Sequence, residues 1–297
     1  MSPNMSRTEA IRLLAAASAG LIMPLSLSAT PETDKSTPMT PLPLKGNVNH
    51  SACRWCYGGI PLDELCVAAK EMGLKGIDLL NPPEWKTAIG HGLAVSMSFG
   101  SPLGITKGFN DPSLHKQLQK DYAELIPKAA EAGVKNVICF SGNRNGITEQ
   151  AGLDNCARGL EASVKLAEKH GVILMMELLN SKVDHADYQC DHTPWGVQLA
   201  EKLGSPNFKL LYDIYHMQIM EGDVIATIRK YHPYIGHYHT GGVPGRHEID
   251  ESQELYYPAI IKAVLETGYK GFVAQEFIPA GKDPLASLRQ GVSICDV

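Results

Sequence analysis

Four acidic or imidazole side chains each close a short apolar run. Leu174-Met175-Met176 ends on Glu177, Leu210-Leu211-Tyr212 on Asp213, Gly236-His237-Tyr238 on His239, and Val273-Ala274-Gln275 on Glu276. A carboxylate beside Met176, or beside Val273 and Phe277, is costly to bury unless a cation or a donor compensates it. Three carboxylates and an imidazole drawn together make a mixed oxygen and nitrogen donor set for a divalent ion, Mn²⁺ or Mg²⁺ first and Co²⁺ or Zn²⁺ next. Each residue alone has an ordinary explanation: Glu177 could pair with a lysine, and His239 could be a hydrogen-bonded core histidine. Their recurrence at the same place in four successive runs favours a shared site.

Those four runs belong to a series of eight, at residues 46–49, 76–80, 93–98, 136–140, 172–179, 208–213, 235–240 and 271–277. Between them apolar residues return at helical spacing, as in Leu114, Leu118, Tyr122, Leu125 and Ala129, or Leu153, Cys156, Leu160, Val164 and Ala167. Helices are expected to stop at Gly73, Gly133 and Gly171, where glycine accepts the left-handed position after a last turn. Eight strand-helix units whose strands are apolar enough for burial on both faces predict a single-domain α/β protein, a parallel (β/α)8 TIM barrel spanning residues 46–297. A barrel places its chemistry at the carboxyl ends of the strands, where the four residues stand. An open doubly wound sheet would usually show a glycine-rich phosphate loop after its first strand, and Asn49-His50-Ser51-Ala52-Cys53 is not one.

The chain has 297 residues, 44% hydrophobic and 20% charged, which supports a large core and excludes disorder. Its 27 Lys and Arg against 32 Asp and Glu, a net charge of −5, lack the basic excess of a nucleic-acid binder. The partner expected is a small molecule, a hydroxy-keto acid or a sugar, and a homo-oligomer stays open. Seven cysteines are too few and too irregular for a disulfide scaffold. Arg7 and Arg12, the apolar stretch from Leu13 to Leu27 and the small residues from Ser26 to Ala29 have the form of an export signal over residues 1–29, so a periplasmic location is expected. Pro24 and the short length argue against a stable membrane span. Residues 30–45, with Pro31, Pro38, Pro41 and Pro43, read as a Pro-rich linker.

Two segments resemble a known family. Tyr212-Asp213-Ile214-Tyr215-His216-Met217-Gln218-Ile219-Met220-Glu221-Gly222, and Gly236-His237 followed by Pro244-Gly245-Arg246-His247-Glu248, are similar to signatures of hydroxypyruvate isomerases. Those enzymes lie within the xylose isomerase-like TIM barrels, which also include ketose 3-epimerases. The resemblance implies that Glu177, Asp213, His239 and Glu276 are metal ligands and that Glu177 and Glu276 also act as acid/base carboxylates. It implies that His216 and Arg246 hold substrate oxygens. Hydroxypyruvate isomerases usually carry Gln at the third metal position, and His239 there is closer to the epimerases.

The residues are compatible with that chemistry. Interconverting an aldehyde and a neighbouring ketone requires proton removal next to a carbonyl and stabilisation of the enediolate formed, which a metal on the substrate oxygens provides. Glu177 and Glu276, on non-adjacent strands, would bracket a flat intermediate. Arg246, in a loop rich in Gly and Pro, offers a fork for a carboxylate. His50 and Trp55 are expected to line the substrate pocket, where an aromatic wall excludes water, and Glu84-Trp85-Lys86 could contribute likewise. Cys53-Arg54-Trp55-Cys56 is a lone CxxC and makes no zinc site by itself. Asp78 faces either the barrel interior or the helix layer, while His185, Asp187, Cys190 and His192 belong to a polar loop suited to a lid or a second ion. The reading is a metal-dependent isomerase forming tartronate semialdehyde from hydroxypyruvate. The alternatives are a ketose 3-epimerase or keto-sugar isomerase acting on exported carbohydrate, a metal phosphodiesterase, which the net charge disfavours, and a non-catalytic sugar-binding barrel.

Overall fold

A computed structural model describes residues 42–297 of the chain. The expected export signal and most of the expected linker lie outside the described residues. Eight parallel strands among the described residues curl in the order β3-β2-β1-β8-β7-β6-β5-β4. They are β1 (Asn49–Cys53), β2 (Gly76–Asp78), β3 (Ala94–Val95), β4 (Asn136–Cys139), β5 (Ile173–Leu178), β6 (Phe208–Asp213), β7 (Ile235–Thr240) and β8 (Phe272–Gln275). The seam between β3 and β4 closes through one residue: Ser98 bridges Leu80 on one side and Val137 on the other. Its N–H donates to Asn136 O at 2.9 Å, and its carbonyl accepts from Ile138 N at 3.0 Å. The result is a TIM barrel.

Helices pack outside the strands with one apolar face inward. In α3 (His115–Glu131) this face is Leu118, Tyr122, Leu125, Ile126 and Ala129, and in α4 (Glu149–His170) it includes Leu153, Cys156, Leu160, Val164 and Ala167. The remaining helices are α1 (Leu62–Glu71), α2 (Trp85–Gly90), α5 (Thr193–Leu203), α6 (Ile214–Met220), α7 (Val224–Tyr231), α8 (Tyr257–Glu266) and α9 (Pro284–Cys295). Gly171 ends α4 at φ +65°, the left-handed geometry expected of it. No described helix is long and apolar enough to cross a membrane.

The first strand differs from its expected place. It runs through Asn49–Cys53 and shares only Asn49 with the expected run 46–49, because Ser51 pairs with Gly76 and Asn49 with Phe272 in the ladder. The segment reads as polar, yet His50, Ser51, Ala52 and Cys53 are all buried. Only Ala94 and Val95 of the third expected run are strand, and Ser98 completes that side by its bridges.

Candidate active site

The carboxyl ends of β5 to β8 bring Glu177, Asp213, His239 and Glu276 together. One ligand-type atom from each lies within 4.8 Å of the others, and all four residues are buried. Register explains the convergence. Asp213 stands opposite His239 across the β6–β7 pair, and Thr240 O accepts from Glu276 N at 3.1 Å to hold the next strand end level.

Each side chain is held from behind. Asp213 caps α6, its Oδ1 accepting from Tyr215 N at 2.8 Å and His216 N at 3.3 Å, which leaves Oδ2 for the site. His239 places Nε2 3.0 Å from Asp78 Oδ1, while its Nδ1 faces Glu276 Oε2 at 2.5 Å and Glu177 Oε1 at 3.5 Å. Glu276 Oε1 accepts from Trp55 Nε1 at 2.7 Å. Arg246 Nη2 donates to Asp213 Oδ2 at 2.9 Å and to Glu276 Oε2 at 2.7 Å. Its guanidinium lies 5.3 Å from the Trp55 ring centre and 5.2 Å from that of Tyr215.

The loop presenting Arg246 is braced at both ends. Arg246 itself has φ +59° and donates its N–H to Gly242 O at 2.8 Å, while its carbonyl accepts from Ile278 N at 2.6 Å. Glu248 ties the same loop to the segment after β8 by accepting from Ala280 N, Gly281 N and Ser287 Oγ.

The electrostatics follow from burial and these neighbours. Burial raises the pKa of Asp213 to about 7 although Arg246 pulls the other way. Burial also raises Glu177. For Glu276 burial is outweighed by His239 and Arg246, which hold it below the ordinary carboxylate range. For His239 burial is likewise outweighed, chiefly by Glu276, and its pKa stands well above the usual value. Of the pair Glu177 and Glu276, Glu177 thus has the greater proton affinity and the fewer fixed donors.

The donor set fits a divalent cation. Three carboxylates share one buried site with a single guanidinium, and the tie from Asp78 to His239 Nε2 turns only Nδ1 toward them. Asp78, left undecided by the sequence, points into the barrel. It is fully buried and also meets Ser96 Oγ at 2.5 Å and His237 Nε2 at 2.9 Å. A carboxylate ending β2, like those ending β5, β6 and β8, was the signal for it.

Above these groups is a cavity of about 290 Å³. Glu177, Glu276, Arg246, His185 and Trp55 form one part of its lining, while Leu79, Phe99, Ile105, Ile138, Phe140 and Leu179 form an apolar part from the β2 to β5 side. Trp55 thus stands in the wall. His50 does not: it is buried in β1, with Nε2 3.7 Å from Asp296 Oδ1 near the chain's C-terminus. This correction follows from the displaced first strand. His216 is fully buried below the wall, its Nε2 3.5 Å from Asp213 Oδ2. Trp85 is buried and bonds Leu80 O, Asp187 accepts from Asn145 N, and His192 pairs with Asp191, so none of these three is in the lining. Cys53 and Cys56 are free thiols, and burial pushes both pKa values well up.

Comparison with known proteins agrees with the barrel fold. The family described as Xylose isomerase-like TIM barrel matches residues 66–294. A putative hydroxypyruvate isomerase of Homo sapiens is 28% identical over 236 residues, covering 76% of this chain and 78% of that protein. A 2-oxo-tetronate isomerase of Cupriavidus necator is 33% identical over 120 residues, covering 40% and 45% respectively. Among solved structures, an AP endonuclease of family 2 from Brucella melitensis aligns with TM-score 0.75 at 23% identity, covering 83% of this chain and 99% of that one, which speaks for the fold. The chain belongs to the xylose isomerase-like TIM barrel family.

Proposed function

We propose that the protein is a divalent-metal-dependent isomerase of hydroxypyruvate or a close short 2-oxo acid, moving the carbonyl to the neighbouring carbon. The observation that carries this reading is the pair Glu177 and Glu276, two buried carboxylates of unlike proton affinity on one cavity wall with Arg246 between the strand ends. The relatives named as hydroxypyruvate and 2-oxo-tetronate isomerases support it.

Glu177, Asp213, His239 and Glu276 would hold the ion, Mn²⁺ or Mg²⁺ by the oxygen-rich set, and the ion when bound supplies Lewis-acid polarisation of the substrate carbonyl. Glu177 accepts the proton from the hydroxyl-bearing carbon, since burial raises its affinity and no strong donor occupies it. Glu276, held ionised by Trp55, Arg246 and His239, takes the proton of the substrate hydroxyl and delivers it to the adjacent carbon, while Glu177 passes its own proton to the former carbonyl oxygen, so both carboxylates end as they began. Arg246 matches a substrate carboxylate by charge, and Trp55 with the apolar wall excludes water from the intermediate.

A ketose 3-epimerase is the second reading, favoured by His239 at the third ligand position. Against a long sugar stands the apolar part of the cavity. Its six side chains offer no partner to further hydroxyls, each costing about 1–3 kcal/mol if buried unpaired. Coupled assays on hydroxypyruvate and on a panel of ketoses, before and after chelation and Mn²⁺ or Mg²⁺ addition, test the assignment. Turnover of hydroxypyruvate that is lost on chelation and restored by metal is the expected result. Full activity in verified metal-free protein, or turnover of ketoses alone, would overturn it.

A further inference from the structure

Asn180 is fully buried just beyond β5, three residues past Glu177. Its amide is oriented by what it faces. Oδ1 accepts from Val183 N at 3.0 Å and from Asp184 N at 2.8 Å, so the oxygen is committed to the turn. The nitrogen must then point the other way, where it donates to Asp184 Oδ2 at 2.7 Å and meets His216 Nδ1 at 2.7 Å. An amide nitrogen only donates. His216 Nδ1 is therefore the acceptor, and the proton of the neutral ring is on Nε2. That Nε2 makes no hydrogen bond among the described residues; its nearest acidic oxygen is Asp213 Oδ2 at 3.5 Å. His185 and Tyr215 pack against the ring, at 5.3 Å and 5.0 Å between ring centres.

We propose that Asn180 is a positioning residue of the active site: it fixes His216 in the form that turns an N–H, and not a lone pair, toward Asp213 and the reacting groups. With the opposite tautomer a lone pair would face the Asp213 carboxylate, repelling it and withdrawing an uncommitted donor from that side of the site. Tyr215, whose hydroxyl donates to Asp184 Oδ2 at 2.8 Å, completes the frame that keeps the Asn180 turn closed.

Asn180→Asp tests this with little change of shape. One carboxylate oxygen keeps the turn, while the other offers His216 Nδ1 an acceptor and so draws the proton there. That oxygen also meets Asp184, so the double variant Asn180→Asp with Asp184→Asn restores a donor and acceptor pair between 180 and 184, the Tyr215 hydroxyl turning from donor to acceptor toward residue 184, and it keeps the change at the His216 ring. Two readouts apply to the full-length protein: the ¹⁵N shifts of the His216 ring, assigned by their loss in His216→Gln, and kcat and KM on hydroxypyruvate. Protonation of Nδ1 in both variants, with kcat down about ten- to hundred-fold in both and KM changed less, is expected. A double variant whose Nδ1 stays unprotonated, or whose kcat returns to the parental value, overturns the proposal, for Asn180 would then serve the turn alone. The kinetic arm rests on the isomerase reading and the ring shifts do not. A parental chain inactive on hydroxypyruvate therefore counts against that reading, while the shifts still decide this one.

Discussion

Replacing Asp78 with Asn exchanges one oxygen for an amide nitrogen at the buried end of β2. The carboxylate now uses separate oxygens for two imidazoles, Oδ1 for His239 at 3.0 Å and Oδ2 for His237 at 2.9 Å, with Ser96 also on Oδ2. Asn keeps only one acceptor. If its oxygen stays with His239, a hydrogen bond to a charged group becomes one to a neutral group, a loss of about 1–1.5 kcal/mol. If its nitrogen turns there instead, Nε2 must go without a proton and Nδ1 must keep one, so Nδ1 has no lone pair left to offer an ion beside Glu177 and Glu276. Loss of such an outer partner typically costs ten- to hundred-fold in metal affinity, about 1.4–2.7 kcal/mol. The dissociation constant for Mn²⁺, read by calorimetry or by the resonance of free Mn²⁺, should therefore rise by about five- to hundred-fold. Melting in the presence of chelator should change much less than melting with metal. An unchanged Mn²⁺ affinity in a folded Asp78→Asn protein would refute the reasoning, because His239 would then either not bind the ion or not owe its orientation to Asp78.

Glu177→Gln and Glu276→Gln should each lower kcat by about two to four orders of magnitude while circular dichroism and melting stay near parental, since proton transfer is removed and a metal ligand weakened; near-parental turnover in either excludes the two-carboxylate scheme. Arg246→Met should reduce kcat/KM for the anionic substrate by about 2–5 kcal/mol and for neutral ketoses by less, so an equal loss on both would place Arg246 on a hydroxyl or on its loop and favour the epimerase reading. Intact mass of protein exported to the periplasm should begin near Thr30, and a full-length cytoplasmic chain would withdraw the proposed location.

What the sequence made legible follows from how regularly each signal is written. Glu177, Asp213, His239 and Glu276 interrupt apolar runs at one repeating place, so their burial and convergence could be read before any coordinates. The first strand could not, because Asn49–Cys53 meets the narrow barrel interior with small and polar residues and has no apolar alternation to mark it. His50 was misplaced for the same reason. Asp78 was seen but not assigned, since a three-residue strand does not reveal which face its last residue takes. Nothing in the sequence singled out Asn180, because its work lies in hydrogen bonds to Val183, Asp184 and His216 that periodicity does not record. Arg246 was placed by resemblance alone, its left-handed backbone and its ties to Gly242 and Ile278 being invisible in residue types.

The closure at Ser98 divides the barrel into halves of unequal cohesion. Strands β4 to β8 and β1 hold one another through ladders of three to five paired residues, with one irregularity at Leu210 and Leu211, and they present the ligand-type residues and Trp55. The β3 side rests on a two-residue strand and on the bridges of one serine, and it supplies Phe99 and Ile105 to the apolar wall. Amide exchange should therefore begin around Ser98 and reach β6 and β7 last. A wall mounted on the looser half can be reshaped by substitution while the reacting groups keep their spacing, so substrate range and chemical step are separately adjustable in this chain.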